Sequence, residues 1–372
     1  MAKYRIAWMP GDGVGKEVMQ AARICLDALN FDAEYLDAEI GWDLWMKEGN
    51  PLPDRTLETL RGTDACLFGA ITSKPKAEAE ASLPENLRGK GHEYFSPIVR
   101  LRQEFDLHTN LRPCKAYPGN PLNYRDTIDL VVFRENTEGL YVGIEWSPVP
   151  EELWKSVRAN HKKAARFDST PLDEMAMSVR IITDKGARRI VTGAFEYAKK
   201  HGRKSVTLVE KPNVLRETSG LMTRVAREVA AGYPGIELWE TNIDAMMMWL
   251  VKNPETYDVI VTSNMFGDIT SDLCAQLVGG LGFACSGNIG DEYAVFEPTH
   301  GSAPKYEGQN KVNPIAEILT AKMMLEWLGE AKLASRLEDA VAEVIAEAKV
   351  RTYDMGGTST TMELAEAVAA KL

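Results

Sequence analysis

Asn264-Met-Phe-Gly-Asp268-Ile-Thr-Ser-Asp272 follows directly on the apolar run Tyr257-Asp-Val-Ile-Val-Thr262, where a strand gives way to a helix. Its two carboxylates stand four residues apart. If Asp268 opens the helix, Asp272 lies one turn along on the same face. Two hard oxygen ligands pointing one way, with no His or Cys beside them, suit Mg²⁺ or Mn²⁺ rather than Zn²⁺. The same spacing also describes an N-capping Asp268 followed by a solvated Asp272. The rest of the chain bears on the choice.

Outward from that stretch, apolar strand-like runs at 6–9, 65–68, 128–133, 206–209 and 259–262 alternate with helical patterns. The helices are expected over 16–28, 56–60, 184–200, 219–231, 244–251, 315–328 and 336–348. The alternation predicts α/β layering, and 372 residues leave room for about two domains. No repeat or low-complexity linker divides the chain, so any domain division is made by crossovers. Residues 73–91, rich in Lys, Glu, Ala and Pro, read as an exposed excursion. Residues 146–170, with Pro148, Pro150 and basic residues from Lys155 to Arg166, read as a solvated loop or an oligomer contact. Met246-Met-Met-Trp249 reads as helix core at a subunit or domain contact.

A net charge of −11 argues against nucleic acid or an anionic membrane as partner, so an anionic substrate needs a local basic pocket. Cys25, Cys66, Cys114, Cys274 and Cys285 are scattered without a C-x-x-C, the pattern of reduced thiols in a cytoplasmic protein. The five histidines form no metal-ligand spacing. The chain runs from Met1 straight into its first strand with no signal peptide, and no apolar run is long enough to cross a bilayer.

Several motifs carry chemistry. Gly11-Asp-Gly-Val-Gly15 has G-x-G-x-G spacing rather than G-x-G-x-x-G, and serves equally as a tight strand-to-helix turn or a cofactor loop. Arg102, Arg112 and Arg134 each stand in an apolar or turn-rich setting. Converging in one cleft, three guanidinium groups would grip a di- or tricarboxylate. Lys211, at a strand end beside apolar residues, would be partly desolvated and drawn toward its basic form, or would be an ordinary strand-end lysine. Two Gly-rich loops, 287–291 and 300–308, would line a phosphate-bearing ligand, with Lys305 adding positive charge.

Taken together, Tyr141-Val-Gly-Ile-Glu-Trp146, the Asp268/Asp272 stretch, Val278-Gly-Gly-Leu-Gly282 and His300-Gly-Ser-Ala-Pro304 resemble the isocitrate/isopropylmalate dehydrogenase family. The likeness runs from the Gly11 turn to Thr352-Tyr-Asp-Met-Gly-Gly357, nearly the whole chain. It implies an α/β fold of two domains distinct from Rossmann folds: a large domain of 1–107 with 279–372, and a small one of 108–278. An arm near 146–170 would clasp a second copy in a homodimer. The implied reaction oxidises a 2-hydroxy acid at C2 and then releases the C3 carboxylate. Asp268 and Asp272, with Asp244 of the other subunit, would hold Mg²⁺ or Mn²⁺. Arg102, Arg112, Arg134 and Asn213 would meet the substrate, Lys211 in trans would relay the hydroxyl proton, and Tyr141 would protonate C3.

The resemblance also bears on ligand choice. His300, Gly301, Ser302, Ala303, Lys305, Tyr306, Asn313, Tyr353 and Asp354 would bind the nucleotide. Lys305 and Tyr306 match the pattern of NADP users, although Asn253 and Gly357 stand where the strongest of them carry Arg, so NADP is expected with NAD tolerated. Substrate side chains are read by Ser96, Ile98 and Val99. Ser96 and the run 309–313 match isocitrate members, whereas Ile98 and Val99 match the apolar pair of isopropylmalate members. The expectation is isocitrate to 2-oxoglutarate, with 3-isopropylmalate, homoisocitrate or D-malate as alternatives. Two rivals are a catalytically silent regulatory subunit, which would lack some of these residues, and a metal-free Rossmann dehydrogenase, which would survive chelation.

Overall fold

The computed structural model describes residues 2–372. Its strands are β1 (Tyr4–Gly11), β2 (Ala33–Asp37), β3 (Ala65–Ala70), β4 (Thr109–Lys115), β5 (Asp129–Glu135), β6 (Glu145–Trp146), β7 (Met177–Ser178), β8 (Ser205–Glu210), β9 (Glu237–Asn242), β10 (Val259–Thr262), β11 (Cys285–Ile289) and β12 (Ala294–Pro298). Ten of them form one mixed sheet in the order β2-β1-β3-β12-β11-β4-β5-β10-β8-β9. The two flanks are parallel, and β12-β11-β4-β5 in the middle run antiparallel to one another. This is not the strand order of a Rossmann sheet.

Every residue of β3, β8 and β10 is buried, because helices cover both faces of the parallel flanks. One large apolar cluster packs Ile6, Leu67 and Phe296 against the helices Gly15–Ala28, Ile315–Trp327 and Ala331–Glu347. Another packs Phe133, Leu208 and Val261 against Asp184–Lys200 and Thr218–Ala230. The antiparallel middle lies between these cores. There Gly287–Ile289 of β11 pair with Thr109–Leu111 of β4, joining strands drawn from the chain ends to strands drawn from its middle.

All seven expected helices form, and four expectations are corrected. The helix after β10 spans Asn264–Leu277 behind Ser263, so Asp268 lies in its second turn and does not cap it. The i, i+4 face shared with Asp272 survives. The stretch 146–170 is not a plain loop: it holds the helix Glu151–Asn160 above the ribbon β6–β7. Within 73–91, Ala79 and Leu83 are buried against Trp45 and Tyr94, so that excursion is anchored at its root. The Met run is core only in part. Met246 is buried, but Met248, Val251 and Ile269 are 57%, 48% and 50% exposed, an apolar face shared by the helices Ile243–Lys252 and Asn264–Leu277.

Behind the antiparallel middle, Lys115 on β4 donates to Glu338 at 2.7 Å, and Lys322 lies 3.1 Å from the same carboxylate. Burial pushes the Glu338 carboxyl up, but Lys322 and Lys115 outweigh it and hold it at about 2. The unfolded group titrates near 4.5. A depressed folded value means that the stabilisation is complete above about pH 4.5 and is lost as pH falls toward 2. Glu338→Gln is therefore expected to cost about 2 kcal/mol near neutrality, allowing for solvent screening. It should also flatten the decline in urea-unfolding free energy between about pH 5 and pH 3.5. Parallel declines in both proteins would contradict the assignment.

Candidate active site

The site begins with Gly267, one residue before Asp268. A Cβ there would lie 2.6 Å from Arg134 Cγ, so only glycine lets the Arg134 side chain pass beneath the helix. Arg134, at the end of β5 and 2% exposed, donates through Nε and Nη2 to Asn264 Oδ1 at 3.0 and 2.9 Å, and through Nη1 to Asp268 Oδ1. Arg112 on β4 donates to Asn110 Oδ1, Ser271 Oγ and Asp272 Oδ1 at 2.7, 2.6 and 3.1 Å. Arg102, on the helix Pro97–Glu104, donates to Asn288 Oδ1 at 3.0 Å and approaches Glu297 at 3.5 Å. Asn288 Oδ1 also accepts from Asn110 and Asn136 at 2.9 and 3.0 Å. A framework of buried amides thus fixes the three expected arginines before any ligand arrives.

The charges set the protonation states. Burial pulls Arg134 down from its ordinary value, as does repulsion from Arg112, while Asp268 opposes both. Burial pushes the Asp268 carboxyl up, but Arg134 and Arg112, with a hydrogen bond from Tyr141, outweigh it and keep it below the usual range. Asp272 is raised by burial, against the pull of Arg112. Tyr141 donates its hydroxyl to Asp268 Oδ2 at 2.7 Å. Burial and that acceptor raise its phenol, so it holds its proton at neutral pH.

These residues face a cleft of about 480 Å³ whose far wall is formed by Ile71, Ser73, Ser96, Ile98 and Val99. His300 and Gly301 line it too, and also line a second groove of about 430 Å³ with Ala303, Tyr306, Asn313, Tyr353 and Asp354. Burial lowers the His300 imidazole, leaving it neutral. Ser302 turns away from both cavities: its Oγ lies 2.5 Å from Thr72 Oγ1, and its carbonyl accepts from Val14 N–H at 2.9 Å. The Gly11–Gly15 turn therefore backs the His300 loop. A Cβ on Gly13 would lie 2.3 Å from the Ser302 carbonyl oxygen. Lys305 stands at the rim with Nζ 4.8 Å from the Tyr306 ring centroid. Lys311, to which the sequence reading gave no role, sits 5.4 and 4.9 Å from the Tyr306 and Tyr353 rings. Neither lysine forms an ion pair among the described residues. Tyr306 and Tyr353 line the groove and both lysines stand against their rings, so cationic and aromatic groups meet at this side of it.

Lys211 and Asp244 lie apart from the cleft. They form an ion pair with each other at the ends of β8 and β9, and Asn213 beside them is exposed. Lys211 thus has a carboxylate partner and is not a lysine isolated among apolar groups. Among the described residues no cluster of three metal-ligating side chains occurs, so Asp244 does not join Asp268 and Asp272 within one chain. Asp268 lines the cleft, and Asp272 stands one turn along the same helix face against Arg112; two hard oxygen donors so placed would suit Mg²⁺ or Mn²⁺ completed by ligands from outside the chain. Sequence reading missed the cleft residues Glu297, Ser286 and Thr299. Glu297 and Thr299 directly precede the His300 loop and Ser286 directly precedes the 287–291 loop, which was the available signal.

The family model described as isocitrate/isopropylmalate dehydrogenase matches residues 5–368. A 3-isopropylmalate dehydrogenase from Methanothermobacter thermautotrophicus is 42% identical over all of this chain and 99% of its own length. Protein DlpA of Legionella pneumophila is 40% identical over 98% of this chain, which spans only 58% of that protein. Among solved structures, isocitrate dehydrogenase from Methylococcus capsulatus superposes with a TM-score of 0.85 at 38% identity, covering 99% of both chains.

Proposed function

The chain belongs to the isocitrate/isopropylmalate dehydrogenase family of decarboxylating hydroxy-acid dehydrogenases, and from that premise we propose that it oxidises a 3-substituted (2R)-malate at C2 and releases its C3 carboxylate. The observation that carries this reading is the convergence of Arg102, Arg112 and Arg134 on one cleft beside Tyr141 and Asp268. The guanidinium groups neutralise and orient two substrate carboxylates, so the reacting carbon is held before the chemistry begins. Lys211 of a second copy takes the proton of the 2-hydroxyl. Tyr141, whose raised phenol keeps its proton, delivers it to C3 after carbon dioxide leaves. Mg²⁺ or Mn²⁺ on Asp268, Asp272 and Asp244 of a second copy would supply Lewis acidity at the C2 oxygen, and a nicotinamide in the adjoining groove would supply the hydride acceptor.

Two domains, 1–107 with 279–372 and 108–278, would meet at the β4–β11 pairing. The exposed apolar face of Met248, Val251 and Ile269, with the 146–170 arm, would bury against a second copy in a homodimer. No helix among the described residues is long and apolar enough to cross a membrane. Five buried, unpaired thiols favour a reducing, cytoplasmic setting.

For the substrate side chain, the far wall favours a small apolar group. Ile71, Ile98 and Val99 supply most of its surface, and the cleft lining holds no fourth Lys or Arg to meet the extra carboxylate of isocitrate. Burying that carboxylate without a cation would cost several kcal/mol. Isocitrate remains the second reading because the Ser96 and Ser73 hydroxyls stand on the same wall. For the nucleotide, Lys305 and Lys311 favour NADP over NAD. The test is the purified chain with Mn²⁺, either nucleotide, and 3-isopropylmalate, isocitrate, homoisocitrate, D-malate or tartrate. We expect NADP-linked turnover of the alkylmalate at ~10-fold or higher kcat/KM than isocitrate, and Lys311→Ala to lower kcat/KM for NADP, not NAD, by ~10-fold. A preference for isocitrate selects the second reading, and no turnover of any acid defeats both.

A further inference from the structure

Arg180 and Glu210 lie outside the cleft, and the chemistry above does not use them. Glu210 closes β8, one residue before Lys211, and is 1% exposed. Its Oε2 accepts from Arg180 Nη2 at 3.0 Å and from Ser219 Oγ at 2.5 Å, while Oε1 accepts from the Ser263 backbone N–H at 3.0 Å. Arg180 also donates to Thr218 Oγ1 at 2.7 Å and Ser263 Oγ at 2.8 Å, and lies 5.3 Å from the Phe266 ring centroid. A low-exposure pair with so many of its donors and acceptors committed has one arrangement available to it.

Three functional elements meet on this pair. Ser263 precedes the helix that carries Asp268 and Asp272. Ser219 Oγ accepts from the Lys211 backbone N–H at 3.3 Å, so Glu210 reaches Lys211 through a single hydroxyl. Arg180 sits between two backbone clasps. Val179 N–H donates to the Ile144 carbonyl at 3.0 Å, and Gly139 N–H donates to the Ile181 carbonyl at 2.8 Å. Those clasps bracket the turn Leu140–Val142 that bears Tyr141.

We propose that the Arg180–Glu210 ion pair is a positioning unit that holds Lys211, the Asp268 helix and the Tyr141 turn in one register. It rests on the proton-transfer roles proposed above for Lys211 and Tyr141. Removing the charge at either residue releases all three elements together. Misplacing a group that moves a proton slows that step, whereas Arg102, held by Asn288, lies outside the released elements and keeps its grip on substrate.

The experiment uses the full chain and whichever malate the wild type turns over; if the wild type turns over none, the proposed function fails rather than this inference. Glu210→Gln and Arg180→Gln are expected to lower kcat by ~10- to 100-fold with substrate KM within ~3-fold. They should also raise the solvent deuterium isotope effect on kcat and shift its pH profile. Arg180→Lys, which keeps the charge, is expected to restore part of the loss. A purely structural role predicts a lower Tm with isotope effect and pH profile unchanged in the folded fraction, and that result overturns the proposal, as does an unchanged kcat. Should both Gln variants fail to fold, Ser219→Ala removes the hydroxyl between Glu210 and Lys211, which also accepts from Arg180 at 3.2 Å, and leaves both charges in place. It is expected to lower kcat several-fold with a raised isotope effect, and no change in either overturns the proposal.

Discussion

Asp268→Asn is expected to lower kcat/KM by ~10⁴-fold while the protein stays folded. The substitution keeps the shape and one acceptor oxygen, and removes one charge. That charge faces Arg134, Arg112 at 3.5 Å and the Tyr141 hydroxyl at 2.7 Å. Without it, the Asp268 position offers a divalent cation only a neutral carbonyl oxygen, set among guanidinium groups that repel the ion. The loss should therefore appear as a raised Mn²⁺ requirement as well as a lower kcat. Asp272→Asn should cost less, ~10²- to 10³-fold, because the Asp272 side chain is 63% exposed and water screens its field. EDTA should abolish wild-type turnover, and added Mn²⁺ should restore it. Turnover that survives chelation, or an Asp268→Asn variant within tenfold of wild type, would return the chain to the metal-free dehydrogenase class.

The inner parallel strands β3, β8 and β10 were legible because strands covered on both faces are continuous apolar runs, whereas the partly exposed parallel edge strands β2 and β9 were not. Helix Glu151–Asn160 was not, because it has no buried residue of its own. Its stability is tertiary or intermolecular, and periodicity does not record that. The start of the helix that carries Asp268 and Asp272 was misjudged for a related reason. Ser263 is a favourable capping residue, but its hydroxyl accepts from Arg180 instead of from its own helix, a long-range partner that local sequence does not reveal. Each arginine of the cleft could be proposed singly. Their convergence depends on the β4–β11 register, which sets Asn110 opposite Asn288 and brings strands from distant parts of the chain together. Lys311 needed the same information, since only the fold carries it to Tyr353, 42 residues away in sequence.

Mixing Asp268→Asn with Lys211→Met chains is expected to restore about a quarter of wild-type activity from two parents that each retain ~10⁻³ or less. Within one chain Lys211 pairs with Asp244, and among the described residues no third ligand reaches Asp268 and Asp272. If each site instead draws Lys211 and Asp244 from a second copy, a mixed dimer holds one complete site. That site combines Asp268 and Tyr141 of the Lys211→Met chain with Lys211 and Asp244 of the Asp268→Asn chain. The other site carries both lesions. Random pairing makes about half the dimers mixed, and one of the two sites in each is intact, which gives the quarter. If Lys211 served its own chain, every site in a mixed dimer would carry one lesion and activity would stay at the parental level. The measurement requires the parents to be unfolded and refolded together, or coexpressed with different tags, and then assayed against each refolded alone. The recovery exceeds either parent by ~10²-fold, well above any loss from incomplete exchange. Parental activity in a demonstrably mixed dimer would refute the shared site and require Lys211 to reach the cleft of its own chain.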